Sequence, residues 1–292
     1  MKIFVGMPAF NEEDNIAAII IKVKKLGYDV IVCNDASNDL TAEISEKLGA
    51  ILVKHNRNLG YGASIQSLFS KAREVNADIL VTFDADGQHR PEDIGKLVQP
   101  ILDQEADLVI GSRFLEKTSD IPKYREIGIK ALTKLANTAS NLKLTDSQSG
   151  LRAYSKKAIQ SIFPSEDSMG VSTEILIKGD QAGLKIVEVP VIILYEGETS
   201  TQNPTIHGID VATATIKQIS IKHPLMFYGF PGLGFLALGL FFTVLTLTNF
   251  AESRTILTNQ ALLAVGNIIV GLVLIVTAII LFTIISVVRE DR

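Results

Sequence analysis

Ile79-Leu80-Val81-Thr82-Phe83-Asp84-Ala85-Asp86-Gly87-Gln88-His89 is the stretch that decides the fold. A short apolar run rich in β-branched and aromatic residues breaks abruptly into two carboxylates and a glycine, the pattern of a buried strand running into a polar turn. Two aspartates one residue apart on such a turn can jointly offer hard oxygen ligands to a divalent cation, Mg²⁺ or Mn²⁺, which completes its shell with water and substrate phosphates. An Asp-x-Asp alone is usually just a turn. Its place at the end of a buried strand, where open α/β sheets bind their ligands, is what points to metal.

Outward from this strand (Asp78–Phe83) the chain alternates strand and helix. Strands are expected at Ile3–Met7, Tyr28–Cys33, Ala50–Val53 and Leu108–Gly111. Helices are expected at Asn11–Leu26, Leu40–Leu48, Gly60–Glu74 and Pro91–Leu102, the first with acids in its first turn and lysines near its end. Short apolar strands separated by helices imply a mostly parallel sheet covered on both faces. A second acidic turn, Asn34-Asp35-Ala36-Ser37-Asn38-Asp39, closes the second strand. Asp39 or Asn38 there suits a helix cap, whereas Asp35 is placed to point into the cleft and accept N–H bonds from a nucleobase. Pro8-Ala9-Phe10-Asn11-Glu12-Glu13, after the first strand, can line the same cleft.

The hydropathy of the chain is uneven. Two long uncharged apolar runs, Leu225–Asn249 and Ala261–Val288, follow the α/β portion. Each exceeds the roughly 20 residues that cross a bilayer as a helix, and they are expected to form a transmembrane hairpin over residues 224–292 after a domain of residues 1–223. Pro231 with Gly232 and Gly234 is expected to loosen or kink the first span. Lys217, Lys222, Arg289 and Arg292 flank the outer ends of the hairpin and only Arg254 lies in its connection, which places both ends and the α/β domain in the cytoplasm. Met1–Pro8 is too short an apolar stretch for a signal peptide.

Lys123–Leu142 reads as an amphipathic helix with Tyr124, Ile127, Ala131, Leu135, Ala139 and Leu142 near one face and Lys123, Lys130 and Lys134 among its polar positions. Such a helix can lie among lipid headgroups or simply pack on the sheet. Arg125 is placed to reach an acceptor phosphate from it. The whole chain of 292 residues carries 28 Lys and Arg against 32 Asp and Glu, a poor footprint for nucleic acid. One cysteine, Cys33, excludes an intramolecular disulfide framework and a Cys-rich zinc site.

Pro8-Ala9-Phe10-Asn11-Glu12, the acidic turn with serine, Asp84-Ala85-Asp86-Gly87-Gln88-His89, Gly111-Ser112-Arg113-Phe114 and Ser149-Gly150-Leu151-Arg152 stand in the order found in family 2 glycosyltransferases. The chain resembles the polyprenyl-phosphate branch of that family, typified by the dolichyl-phosphate mannose synthases, over about residues 2–223. The resemblance implies a GT-A-like nucleotide-binding domain that transfers a hexosyl group, with inversion, from a nucleotide-diphosphate sugar to dolichyl or polyprenyl phosphate. It implies that Asp84 and Asp86 engage metal and donor diphosphate, with Gln88 close to the metal. Pro8, Asn11, Glu12 and Asp35 would surround the nucleotide. Arg113 would meet phosphate, the donor's or the acceptor's. Beside the resemblance, Arg125 reads as an acceptor-phosphate contact or a solvated surface Arg, and Arg152 as flanking the acceptor phosphate or only bridging the sheet and a neighbouring helix. Glu174 reads as a first-turn helix acid, with a place facing the cleft as the alternative, and His89 as a turn former. Interfacial packing suits His207.

Two positions depart from the pattern. The family commonly has paired aspartates where this chain has Asn34-Asp35. The mannose synthases carry an Arg before Gly-x-Ser-Lys where this chain reads Tyr195-Glu196-Gly197-Glu198-Thr199-Ser200, which favours a UDP-sugar over GDP-mannose. A processive polysaccharide synthase is disfavoured by the lack of Trp, and a nucleotidyltransferase by the lack of a Gly-rich phosphate loop. A non-catalytic membrane adaptor remains the alternative from a different class.

Overall fold

In the computed structural model, residues 1–116, 121–140, 142–193 and 224–290 are described, with positions 213, 216 and 220. Tyr195–Ser200, His207, Lys217, Lys222 and Arg292, on which several expectations rest, lie outside the described residues. The chain divides into two units, Met1–Thr215 and Ile216–Arg292.

The first unit is built on a seven-stranded sheet of order β3-β2-β1-β4-β6-β5-β7. Its strands are β1 (Ile3–Ala9), β2 (Asp29–Asn34), β3 (Ile51–Lys54), β4 (Ile79–Thr82), β5 (Leu108–Ser112), β6 (Arg152–Ser155) and β7 (Ile186–Pro190). Between them run helices α1 (Glu13–Lys25), α2 (Thr41–Lys47), α3 (Tyr61–Glu74), α4 (Ile94–Leu102), α5 (Lys123–Ala139), α6 (Lys156–Ser161) and α7 (Val171–Gln181). All ladders are parallel except those of β6, which runs antiparallel to β4 and β5.

Period-two alternation sends consecutive strand residues to opposite cores. Val5, Met7, Val30, Val32, Ile79 and Val81 join Ile16, Ile20, Ile94 and Leu97 of α1 and α4 on one face. Phe4, Ile31, Cys33 and Leu80 join Leu68, Phe69, Ile159 and Ile175 of α3, α6 and α7 on the other. Cys33 is thus a core residue, and burial pushes its thiol up to about 11.

The strand order places the site. β1, β2 and β3 are laid down in one direction, and the chain then crosses back to set β4 on the other side of β1. Sheets of this kind bind ligands at the carboxyl ends of strands beside such a reversal. The loops leaving β1, β2 and β4 are the three acidic segments singled out from the sequence.

α5 does not bury the face expected of it. Thr133 and Ala136 turn inward, while Ala131 is exposed and Ile127 is 70% exposed. Of the apolar positions expected on that face, Ile127 and Ala131 therefore lie exposed.

The second unit contains two helices, Phe230–Ser253 and Thr258–Glu290, both long and apolar enough to cross a membrane. They approach closely at glycines. A Cβ on Gly232 would stand 2.8 Å from Ile275 Cγ1, one on Gly239 2.6 Å from Ile268 Cγ1, and one on Gly271 2.8 Å from Leu236. Small residues at such crossings let helix backbones pack without a water-driven hydrophobic effect. Pro231 sits in the first turn of its helix, and the deformation expected around it takes the form of a π-helical turn, Leu225–Gly229, just before it.

Candidate functional site

The β4 turn is held from several sides. Asp84, two residues past β4, keeps its side chain 26% exposed and receives Tyr61 Oη at 3.1 Å on Oδ1. His89 Nε2 lies 3.1 Å from the other oxygen. The fit leaves no room for a side chain at position 150, where a Cβ would stand 2.3 Å from Asp84 Oδ2. That distance gives the glycine of Ser149-Gly150-Leu151-Arg152 a physical reason. Gly87 adopts φ +78°, the left-handed conformation that turns the chain back after Asp86. Asp86 Oδ1 accepts the Gln88 N–H at 3.0 Å.

The two carboxylates are tuned in opposite directions. Burial works to raise Asp84, but the hydrogen bond and charge of His89, the Tyr61 hydroxyl and the charge of Arg113 outweigh it and hold Asp84 below the usual range. Burial and the neighbouring Asp84 charge raise Asp86. Adjacent acids at close range repel, and one of them takes the upward shift. Glu12 feels the same field: burial, with the charges of Asp86, Asp39 and Asp84, lifts it to about 7 despite a hydrogen bond from Asn15.

The two neighbouring turns are stitched to each other and to their surroundings mainly by side chains bonded to backbone. Asn11, at φ +56°, accepts the Asn38 N–H on Oδ1 at 2.9 Å and donates its own N–H to Ser37 Oγ. Asp39 accepts from the N–H groups of Thr41 and Glu13, joining the starts of α2 and α1. Asp35 is buried: its Oδ1 meets His55 Nδ1 at 2.6 Å and the Leu59 N–H at 2.9 Å, and its Oδ2 the Gly60 N–H at 2.8 Å. Pro8 lies in the β1–β2 ladder opposite Cys33 and is half-buried.

Arg113, just past β5, forms a bidentate pair with the buried Asp146, Nε–Oδ2 2.6 Å and Nη2–Oδ1 2.7 Å. It also lines a groove of about 900 Å³ between the β5 loop, α5 and Leu144–Thr145, whose walls include Phe114, Lys130, Lys134 and Asn137. Lys130 pairs with Glu126 and stands 5.4 Å from the Phe114 ring centre. Arg125, half-buried in the first turn of α5, does not line this groove.

Arg152 is a correction. It was expected to flank the acceptor phosphate, yet it is 1% exposed and donates to the carbonyls of Ser149, Ser172 and Ser147. A guanidinium spent on three buried carbonyls pins a loop to the sheet and is not on offer to a ligand. Glu174 is likewise buried, accepting from Ser165 and the Glu166 N–H and pairing with Lys178 at 2.8 Å.

Sequence reasoning missed Tyr61 and Asp146. Tyr61 lies 23 residues before its partner, and nothing local to Gly60-Tyr61 announces that contact. Asp146 precedes the glycine motif in a polar loop, and its pairing with Arg113 spans 33 residues.

The donor set suits a hard divalent cation, since it consists of carboxylate oxygens at a turn cleared by glycines. Among the described residues no third His, Cys, Asp or Glu joins the pair in metal-holding geometry. An ion there would take its remaining ligands from water and substrate phosphates, as Mg²⁺-type sites do.

The family model "Glycosyl transferase family 2" matches residues 4–163. An uncharacterized protein of Methanocaldococcus jannaschii is 38% identical over 223 residues, covering 74% of this chain and 92% of its own. The UDP-N-acetylglucosamine–dolichyl-phosphate N-acetylglucosaminyltransferase of Methanococcus voltae is 34% identical over 215 residues, covering 66% and 86%. Glucosyl-3-phosphoglycerate synthase from Mycobacterium tuberculosis, solved with Mn²⁺, UDP-glucose and phosphoglyceric acid, superposes with a TM-score of 0.59 at 22% identity over 75% and 80% of the two chains, a likeness of fold. The chain belongs to glycosyl transferase family 2, has the GT-A-like fold of such neighbours, and is similar to dolichyl-phosphate sugar transferases.

Proposed function

We propose that this family 2 glycosyltransferase moves a hexosyl group, with inversion, from a nucleoside-diphosphate sugar to dolichyl or polyprenyl phosphate at a membrane. The observation that carries the reading is the position of Arg113. Its charge acts on Asp84 of the acidic turn, and the same side chain lines the cation-bearing groove beside α5. One guanidinium thus stands between the acidic turn and a groove of mixed charge, where Lys130 and Lys134 face Glu116 and Glu126.

Asp84 and Asp86 would hold the divalent cation, which when bound supplies charge neutralisation for the departing diphosphate. The protein's residues do the rest. Pro8, Asn11 and Glu12 border the nucleotide, Asp35, spent on Leu59, Gly60 and His55, holds the loop beside them, and Gln88 orders the turn around Asp86. Arg113 balances phosphate charge from the groove side, with Lys130 and Lys134 nearby and Arg125 at the start of α5. A phosphate monoester has a second pKa of about 6, so the acceptor is already largely dianionic at neutral pH. Its oxygen forms the new bond to the anomeric carbon as the carbon–oxygen bond to the donor diphosphate breaks. The nucleoside diphosphate leaves with that electron pair. No proton has to be removed from the acceptor, and no carboxylate is needed as general base.

A UDP-sugar is the favoured donor, supported by the activity for which the M. voltae relative is named. The two apolar helices would anchor the enzyme with the α/β domain on the cytoplasmic side, and tags at the two ends of the chain would then share protection in sealed vesicles. The test of function is a donor panel of UDP-glucose, UDP-N-acetylglucosamine and GDP-mannose with short polyprenyl phosphate and Mg²⁺ or Mn²⁺, followed by mass spectrometry. Glycolipid from polyprenyl phosphate supports the reading. Transfer to free polyprenol but not to its phosphate would overturn it.

A further inference from the structure

We propose that Tyr61 is a positioning residue for the metal- and diphosphate-binding carboxylate, fixing Asp84 in the orientation the donor requires. The inference rests on the reading of Asp84 and Asp86 as that site.

Two segments distant in sequence and the far end of its own turn converge on this one carboxylate. Tyr61, the first residue of α3, donates from Oη to Oδ1 at 3.1 Å. His89 faces Oδ2 at 3.1 Å. The backbone at Gly150 closes the third side, since a Cβ there would meet Oδ2 at 2.3 Å and Tyr61 Oη at 2.9 Å. Asp86 differs, its Oδ1 accepting from Gln88 within its own turn. An aspartate on a glycine-containing turn samples several side-chain orientations, and binding a cation would have to suppress them. A donor already in place removes that cost from the binding event.

The delivery of Tyr61 is itself engineered by the fold. Asp35 accepts the N–H groups of Leu59 and Gly60, and His55 holds Asp35 at 2.6 Å. Gly60 takes φ +97°, a conformation closed to most side chains, so that α3 starts with Tyr61 aimed at Asp84. The tyrosine ring also packs against the apolar cluster of Ile65, Leu68 and Phe69. Packing needs only the ring. The hydroxyl has a separate task.

Tyr61→Phe separates the two. The full-length protein in detergent would be titrated with Mn²⁺ in the presence of UDP, and in parallel of GDP, by electron paramagnetic resonance and calorimetry. Affinity for Mn²⁺–nucleotide should fall about 10-fold, the lower end for losing a residue that orients a metal ligand, because His89 still holds the other oxygen. The melting temperature should stay at the wild-type value. Tyr61→Leu, which also removes the ring, should lose stability but little further affinity. Wild-type affinity in Tyr61→Phe, with Asp84→Asn and Asp86→Ala weakened, overturns the role of Tyr61 alone. If Asp84→Asn and Asp86→Ala also bind as the wild type does, the metal reading fails and the role of Tyr61 falls with it.

Discussion

The two acidic turns of the site, Asn34–Asp39 after β2 and Asp84–His89 after β4, look alike in sequence but spend their carboxylates differently. Asp35 and Asp39 accept backbone N–H groups of Leu59, Gly60, Thr41 and Glu13, with the His55 ring also on Asp35, so the first turn ties loops together. Burial works against the Asp39 charge, and those bonds overcome it and lower its pKa. Asp84 is held by side chains, Tyr61 and His89, and Asp86 is pushed upward by burial and by Asp84. A carboxylate satisfied by backbone stabilises the fold, whereas paired carboxylates kept in mutual repulsion are primed for a cation.

The largest effect that tests this contrast is on turnover. Asp86→Ala and Asp84→Ala should each lower turnover by about 10³-fold or more, with Asp86→Ala melting near the wild-type temperature. Asp39→Ala should keep its activity, and equal inactivation of both turns would erase the distinction. Next in size is Arg113→Ala, expected to cost about 100-fold in turnover. It also strands Asp146, which is fully buried, and should destabilise the fold by about 3 kcal/mol. Removing Asp146 as well should restore stability but not turnover, and recovery of both would make the pair purely structural.

Smaller effects fall on stability. Asp35→Ala should cost about 2 kcal/mol, since it orphans buried N–H groups, and Asp39→Ala about 1 kcal/mol, as for a lost cap. Denaturant titration that reverses this order would contradict the assignment of Asp35 as the main tie. The smallest effect is a pH dependence. Glu12 rises from an ordinary 4.5 to about 7 in the folded protein. Its folded form therefore holds a proton that the unfolded chain has released, and the stability this contributes is present below about 4.5 and lost as pH climbs through 7. Without divalent cations, Glu12→Gln should flatten that decline in melting temperature, and an unchanged slope would remove Glu12 from the acidic cluster.

Much of the α/β frame is legible from local pattern. The strands predicted around Val5, Val32, Leu52, Val81 and Val109 and the helices between them stand in place, with ends shifted by at most three residues. Apolar periodicity reports burial directly, and those strands are buried on both faces except the edge strand β3, which is only half-buried. The segment around Arg152 is harder. Its antiparallel strand β6 inserts between β4 and β5, and nothing in Arg152-Ala153-Tyr154-Ser155 announces its direction or its neighbours.

By itself the sequence determined the βα alternation, the two membrane-length apolar helices and the placing of acidic residues at strand ends. These follow from hydropathy and turn chemistry over a few residues. Only the tertiary structure decided which polar side chains are spent internally. Arg113 and Arg152 look equally suited to phosphate, yet one lines the groove and the other is sealed against three carbonyls. Tyr61 carries no local signal at all and still reaches Asp84. A hydrogen bond depends on direction and on what else competes for the donor, and residues far apart in the chain set both.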